Sequence, residues 1–398
     1  MIYGLFDTDF FNLILWIIII FVFSMFAPRM MLAQAILRLE NSVRALEERT
    51  RKGKELILKK ISSKPSFSLK QVVSNFLDFF AIEPVSLDPF GIIKKFEHLL
   101  NYYEQKLRYF VKRIAPNFKE EERINIVAAL SATISLNQLA KIMRHYLELV
   151  KKTRNLQLAL LAQMQVPLID RISKALLYGT ESFVKGLPVG DSIGPLIASK
   201  LIGNSKYKVD KENEVVICEK KLEGKRVIIM KALGPGARLA KLGKAVEKLA
   251  KKKKIKRIIT IDAAGKLEGE KTGNIAEGVG VAMGGIGVDK AYIENVAVEN
   301  DIPLDSIVIK MSVEEAIQPM NKKIYAATEK VVEKVKELVR TSEVEPILII
   351  GVGNSVGIGN CEKEIDEENF RKGFEILKRK EEEEQKKKKW YSSLFEGF

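Results

Sequence analysis

The chain has 398 residues, 46% hydrophobic and 29% charged, which supplies more than one core and excludes bulk disorder. Lys and Arg (66) exceed Asp and Glu (51) by 15, pointing to anionic partners: membrane headgroups first, with nucleic acid not expected. Two cysteines without CxxC spacing exclude a disulfide framework, and two histidines without a partner motif leave a zinc hydrolase without ligands.

From Phe10 to Ala27 (FFNLILWIIIIFVFSMFA) no residue is charged. Eighteen helical residues span roughly 27 Å, close to the hydrocarbon thickness of a bilayer. Asp7 and Asp9 precede this stretch, while Arg29, Arg38, Arg44, Arg49, Arg51, Lys52 and Lys54 follow it. The positive-inside rule then places the N-terminus outside and the remainder in the cytoplasm, in a single-pass cell-membrane protein. Pro28 is expected to end this anchor, residues 1–28. The other reading is a buried core helix. In the juxtamembrane helix, 29–66, Leu32, Ile36, Leu39, Val43 and Leu46 recur in steps of four and three. That heptad seam suits self-association, a protein partner, or packing on the chain's own helices.

Asp88 before Pro89 makes a good helix start, with a side-chain acceptor at the cap and a ring whose missing N–H is not needed there. One helix should run from Pro89 to Ile114 and the next from Lys119, with Glu120–Glu122 at its positive end. Pro167 should close that helix, and a further one should reach Val184. Residues 67–185 therefore read as an all-α domain.

The pattern changes at Gly186. Strands are expected at Val215–Cys218, Val227–Met230, Ile258–Asp262, Ser306–Ile309 and Ile347–Ile350. Helices are expected at Arg238–Lys253, Asp289–Glu299 and Val313–Val339. This alternation predicts an α/β three-layer domain over 186–360 with a mostly parallel sheet. Residues 361–398 form a charged tail (KRKEEEEQKKKKW within it), helical at most and solvated, with an aromatic end (Trp390 to Phe398).

The segments FFAIEPVSLDPFGIIKKFEHLL (79–100) and IDAAGKLEGEKTGNIAEGVGVAMGGIGVDK (261–290) resemble an archaeal, membrane-associated family known as domain of unknown function 1512. That resemblance covers most of the chain and implies location and architecture, with no activity attached. A second resemblance rests on GDSIGP (190–195) opening a helix, a strand ending in IDA (261–263), a Gly-rich stretch, and then DIPLDSIVIKMS with VEEAI. That order looks like the spore germination protease and the hydrogenase-maturation endopeptidases. In those proteins an acidic residue of a D-x-x-G-P motif faces a second acidic residue after a strand. On this chain the matching positions are Asp191 and Asp262.

The chain departs from that pattern in two ways. Those families place a strand ending in G-x-G-N just before D-x-x-G-P. Here a helix precedes Gly190, and GVGN (351–354) ends the last strand; a circular permutation would restore the contact. The nickel-binding histidine of the maturation enzymes has no counterpart, because His98 and His145 both lie outside the α/β domain. No metal site is assigned, and no cofactor can be named.

An Asp at the carboxyl end of a parallel strand occupies the position where open α/β sheets present functional groups, which suits Asp262. Asp191 either caps the following helix or pairs with Asp262; two carboxylates within ~4–6 Å would divide into acid and base. The alternative is a hard cation shared by the pair, with Glu268 and Glu270 within reach on the next loop. The stretch Gly265–Gly287 interleaves Gly278, Gly280, Gly284 and Gly285 with Thr272, Asn274 and Glu277. It reads equally as a ligand-binding rim and as a structureless crossover. The turns at Gly234-Pro235-Gly236, before Arg238, and at Gly353-Asn354 read as phosphate-binding helix starts or as ordinary punctuation. Two functions follow. One is a membrane-anchored peptidase-like hydrolase using Asp191 and Asp262. The alternative is a non-catalytic membrane scaffold binding a protein or an anionic ligand through the Gly-rich face.

Overall fold

The computed structural model describes residues 8–79, 91–283 and 287–395, with side chains from Asn12 to Lys386 within those limits. The expected start at Asp88-Pro89, Gly284, Gly285 and the aromatic tail side chains fall outside it. The chain forms two compact units, Met1–Arg51 with Ser135–Lys174, and Lys52–Ile134 with Ala175–Phe398.

Helix α1 runs unbroken over Thr8–Ile61, so Pro28 does not end it. A proline ring removes one i→i−4 bond and kinks a helix, and good helix formers on both sides (FSMFA, RMMLAQ) carry it through. From Asn12, α1 holds a window of mean hydropathy 2.2 with none of it buried; α4 (Glu120–Thr153) holds a second, of mean hydropathy 1.4 and half buried. Among the described residues these two helices are long and apolar enough to cross a membrane.

In the first unit the heptad seam is filled by the chain's own helices. Leu39, Val43 and Leu46 pack on Met143, Leu147 and Val150 of α4 and on Ala159 and Ala162 of α5 (Leu156–Lys185). Each buried Leu or Val contributes about 1.5–3 kcal/mol. Ion pairs flank the seam: Glu40–Lys151 at 2.6 Å, Glu47–Arg144 at 2.8 Å and Asp170–Arg49 at 2.6 Å. The break between α4 and α5 comes at Arg154 (φ 52) and Asn155, whose side chain accepts the Leu158 N–H at 3.0 Å. Pro167 lies inside α5, which corrects the expected boundary. Asn155 supplies an N-cap, and that local chemistry outweighs the proline downstream.

The second unit opens with α2 (Phe67–Phe76) and α3 (Ile92–Ile114), which pack with the end of α1 and the start of α4 around Leu58, Val73, Leu107, Val111, Ile126 and Leu130. The α/β part follows. Its strands are β1 (Lys208–Asp210), β2 (Val215–Leu222), β3 (Lys225–Ala232), β4 (Arg257–Gly265), β5 (Ile275–Val279), β6 (Leu304–Met311) and β7 (Ile347–Gly351). They lie in the order β1-β2-β3-β7-β4-β6-β5. Only the centre, β3-β7-β4-β6, is parallel; β1-β2, β2-β3 and β5-β6 are antiparallel, so the sheet is mixed. Glu223 and Gly224, both at positive φ, make the tight β2–β3 turn that forces the antiparallel pair. Helix α6 (Ile193–Ile202), α10 (Lys322–Arg340) and α11 (Glu367–Phe395) supply Leu196, Val331 and Phe370 to one face. Helices α7 (Leu242–Ala250) and α8 (Val288–Glu299) cover the other through Val246 and Ile293, giving three layers. The expected helix at Val313–Val339 is two, α9 (Val313–Ile317) and α10, separated at Gln318-Pro319. The tail is not wholly solvated. Phe370 and Ile376 of α11 are buried, and Lys380 pairs with Glu181 at 2.7 Å.

Candidate active site

The floor of the site is the end of β4. Its run Ile258-Ile259-Thr260-Ile261 is fully buried between β7 and β6, and Thr260 reaches the Ser306 hydroxyl across the ladder at 3.2 Å. Asp262 follows, level with Val308 of β6 and one residue past the level of Gly351 on β7. It is 4% exposed, and its Oδ1 accepts the Ala263 N–H at 2.7 Å.

The GDSIGP segment arrives over these strand ends. Gly190–Ser192 forms a 3-10 turn, and α6 follows. A side chain on Gly194 would strike the main chain of Ile261 and Val352, so glycine is required for α6 to sit on the ends of β4 and β7. Gly353, at φ 124, lies directly against Asp191, and the Asn354 N–H donates to Asp191 Oδ2 at 2.8 Å. The capping role open to Asp191 is therefore not the one it takes: its acceptor serves an amide 163 positions away. The GVGN turn of the last strand thus meets the GDSIGP segment.

Burial pushes both carboxyls up. Asp262 rises to about 8, first because it is desolvated and then because Asp191's charge is close; the Ala263 N–H works against the rise. Asp191 is raised by burial, opposed by the Asn354 N–H. Asp262 thus holds a proton at neutral pH beside Asp191.

The remaining predicted residues form a second group. Glu270 accepts the Leu267 N–H at 2.6 Å and faces Lys310 at 3.7 Å, while Glu268 is exposed on the same loop. The Thr272 hydroxyl bonds Glu315 at 2.8 Å and accepts from Lys266 at 2.8 Å; Glu277 pairs with Lys334 of α10 at 3.1 Å. Asn274, Gly278 and Gly280 line β5 and its ends, and β5 orders part of the stretch that could have been a structureless crossover. Among the described residues no group of three or more His, Cys, Asp or Glu is placed to hold a metal ion.

Neither glycine turn takes the phosphate-binding geometry considered for it. Helix α7 starts at Leu242, and Arg238 is buried between Glu121 and Glu214, the latter at 3.2 Å and shared with Arg108 at 2.6 Å. The Gly234 and Asn360 backbone and side-chain groups bond reciprocally (2.8 and 3.1 Å), and the Gly357 N–H donates to the Pro235 carbonyl at 2.9 Å. The glycines let these two loops interlock. Sequence reasoning missed this network and Glu315, although S-V-E-E at 312–315 carries a capping-box spacing. Against the burial that would raise it, the Ser312 N–H, Thr272 and Lys266 hold Glu315 low.

Two family models match the chain. The N-terminal domain of DUF1512, described as a protein of unknown function, matches residues 13–186, and the DUF1512 C-terminal domain of unknown function matches 189–359. The chain belongs to the DUF1512 family. No curated protein matches it. Asp191, Asp262, Gly353 and Asn354 all fall inside the DUF1512 C-terminal match, so the site is built within one domain of the family.

Proposed function

We propose that this DUF1512 protein is a membrane-anchored hydrolase of the peptidase type, with Asp191 as base and Asp262 as acid. The observation that carries the reading is the convergence of two carboxylates, 71 positions apart, at the carboxyl ends of β4 and β7. Asp191, whose ionised form burial disfavours and the Asn354 N–H partly restores, draws a proton from water as the hydroxide adds to a carbonyl carbon. Asp262 donates its proton to the carbonyl oxygen. Collapse of the tetrahedral adduct returns a proton to Asp262, and protonated Asp191 gives its proton to the leaving amine. The polar Thr260–Ser306 pair lies one step behind Asp262 on the same side of the sheet.

In this reading α1 is the anchor: it spans the bilayer once through residues 10–27, with the body cytoplasmic and the basic residues from Arg29 onward near anionic headgroups. The unburied apolar window and the one-sided distribution of Lys and Arg support it.

The test uses the full chain in lipid nanodiscs against a fluorogenic peptide library. Cleavage should vanish in Asp191→Asn and in Asp262→Asn while circular dichroism stays unchanged. Equal cleavage by a folded double variant, or no cleavage of any library member by the wild type, overturns the hydrolase reading and leaves the scaffold.

A further inference from the structure

A groove of about 530 Å³ opens between α10 and the loop that joins β4 to β5, formed by side chains that take no part in the carboxylate pair. On α10, Lys323, Ala326, Ala327 and Lys330 share one face, at spacings of three, four and seven. The two alanines make a flat floor, and the two lysines stand about 10 Å apart along the axis. The opposite wall is held close. Gly273, at φ 84, bonds the Lys310 carbonyl at 2.8 Å, and a side chain there would strike the Lys323 carbonyl. The wall adds Lys271 and Lys266.

The charges around the groove do not cancel. Lys266 is taken by Glu315 at 3.2 Å, and Glu270, the one carboxylate lining the groove, is taken by Lys310 and by the Leu267 N–H. Among the described residues, no carboxylate pairs with Lys271, Lys323 or Lys330. Three uncompensated ammonium groups therefore surround one concavity whose floor is too flat and too small to be an apolar pocket. Lysine binds phosphate as a point charge. Three such charges around a single groove suit one compact, multiply charged anion; a duplex would need a basic track running past the groove.

We propose that this groove binds a phosphate-bearing polyanion, held by Lys271, Lys323 and Lys330 over Ala326 and Ala327. The site is independent of the hydrolase reading. The phosphates can come from a soluble oligophosphate or from lipid headgroups, and the experiment separates them. The full chain in phosphatidylcholine nanodiscs is titrated calorimetrically with sodium tripolyphosphate. Lys323→Gln/Lys330→Gln should weaken binding by roughly tenfold or more, whereas Lys208→Gln/Lys211→Gln, an exposed pair with the same loss of charge, should leave it unchanged. In phosphatidylglycerol nanodiscs, a drop in tripolyphosphate affinity that the groove variant lacks identifies lipid phosphate as the occupant; an unchanged affinity identifies a soluble one. Equal weakening by both lysine pairs, or no binding at millimolar tripolyphosphate, overturns the site.

Discussion

Replacing Asp262 with Asn separates a functional carboxyl from a structural one, because the native proton on Asp262 has a calculable effect on stability. The unfolded carboxyl titrates near 3.8 and the folded one near 8. Between those values the native state binds a proton that the unfolded state does not, so stability falls as pH rises. The slope is about 1.4 kcal/mol per pH unit. From pH 5 to pH 7 the wild type should lose about 3 kcal/mol through this group. Asn keeps an acceptor for the Ala263 N–H and has no proton to lose. The difference between Asp262→Asn and wild type should therefore be near zero at pH 4 and grow steadily toward pH 8 in favour of the variant. Hydrogen exchange read by mass spectrometry over residues 257–265 and 347–351 measures it locally, and comparison at matched pH cancels the intrinsic exchange rate. A gap of that size is about a hundredfold in protection. Parallel protection at pH 5 and pH 7 would refute the burial and coupling assigned to Asp262.

Three further outcomes follow from the same geometry. Asp191→Asn removes the charge that helps raise Asp262, so the Asp262 titration, followed by carboxyl NMR, should move downward; an unmoved value would show the two groups to be uncoupled. Gly353→Ala places a side chain against the Asp191 backbone at a φ that disfavours it, which should cost about 1–3 kcal/mol in denaturant unfolding and loosen the Asn354–Asp191 bond. Lys231 is fully buried, donates to the Ala232 carbonyl at 2.9 Å, and is pulled down to about 7 by desolvation, with Glu364 and Cys361 pulling the other way. Below pH 7 the native amine must be charged in a dry site; between about 7 and 10.5 only the unfolded chain is charged, and the wild type gains stability as pH rises. Lys231→Met should thus stabilise by ~3–4 kcal/mol near pH 6, with the gain fading toward pH 10 in thermal melts.

The elements that were legible in the sequence share one property: their packing chemistry is local. Ile258-Ile259-Thr260-Ile261 and Ile347–Ile350 are buried on both faces and so read as continuous apolar runs. The 32–46 seam announces a helix–helix contact because its positions recur at 3.5 residues. What escaped is non-local. β5 is an edge strand of five residues with glycine at 278, and its order comes from pairing with β6 thirty residues away. Pro28 and Pro167 misled because local propensity says where a helix weakens, while packing decides whether it ends. The Asp191–Asp262 convergence was reachable only through motif order. Its partner Asn354 lies 163 positions from Asp191, with Gly353 beside it, and no periodicity reports that distance.

Lys231, Gly351 and Ile261 stand level on the adjacent strands β3, β7 and β4, and Asp262 is one residue further on. Two buried ionisable groups on the strands themselves, both shifted first by desolvation, therefore mark the same end of the sheet, while the opposite ends of those strands carry paired or exposed charges such as Arg226–Glu345 and Arg257–Asp305. Stability alone does not account for that asymmetry, because replacing either group by a neutral one of similar size should strengthen the fold. A sheet that tolerates destabilising groups only at its carboxyl ends, beneath turns built from glycines that bear no substitution, is organised around what those ends do. If Asp262→Asn and Lys231→Met both stabilise the fold as worked out above, the carboxyl ends are the place to look for chemistry. If neither does, the buried charges are already satisfied and the site loses its physical basis.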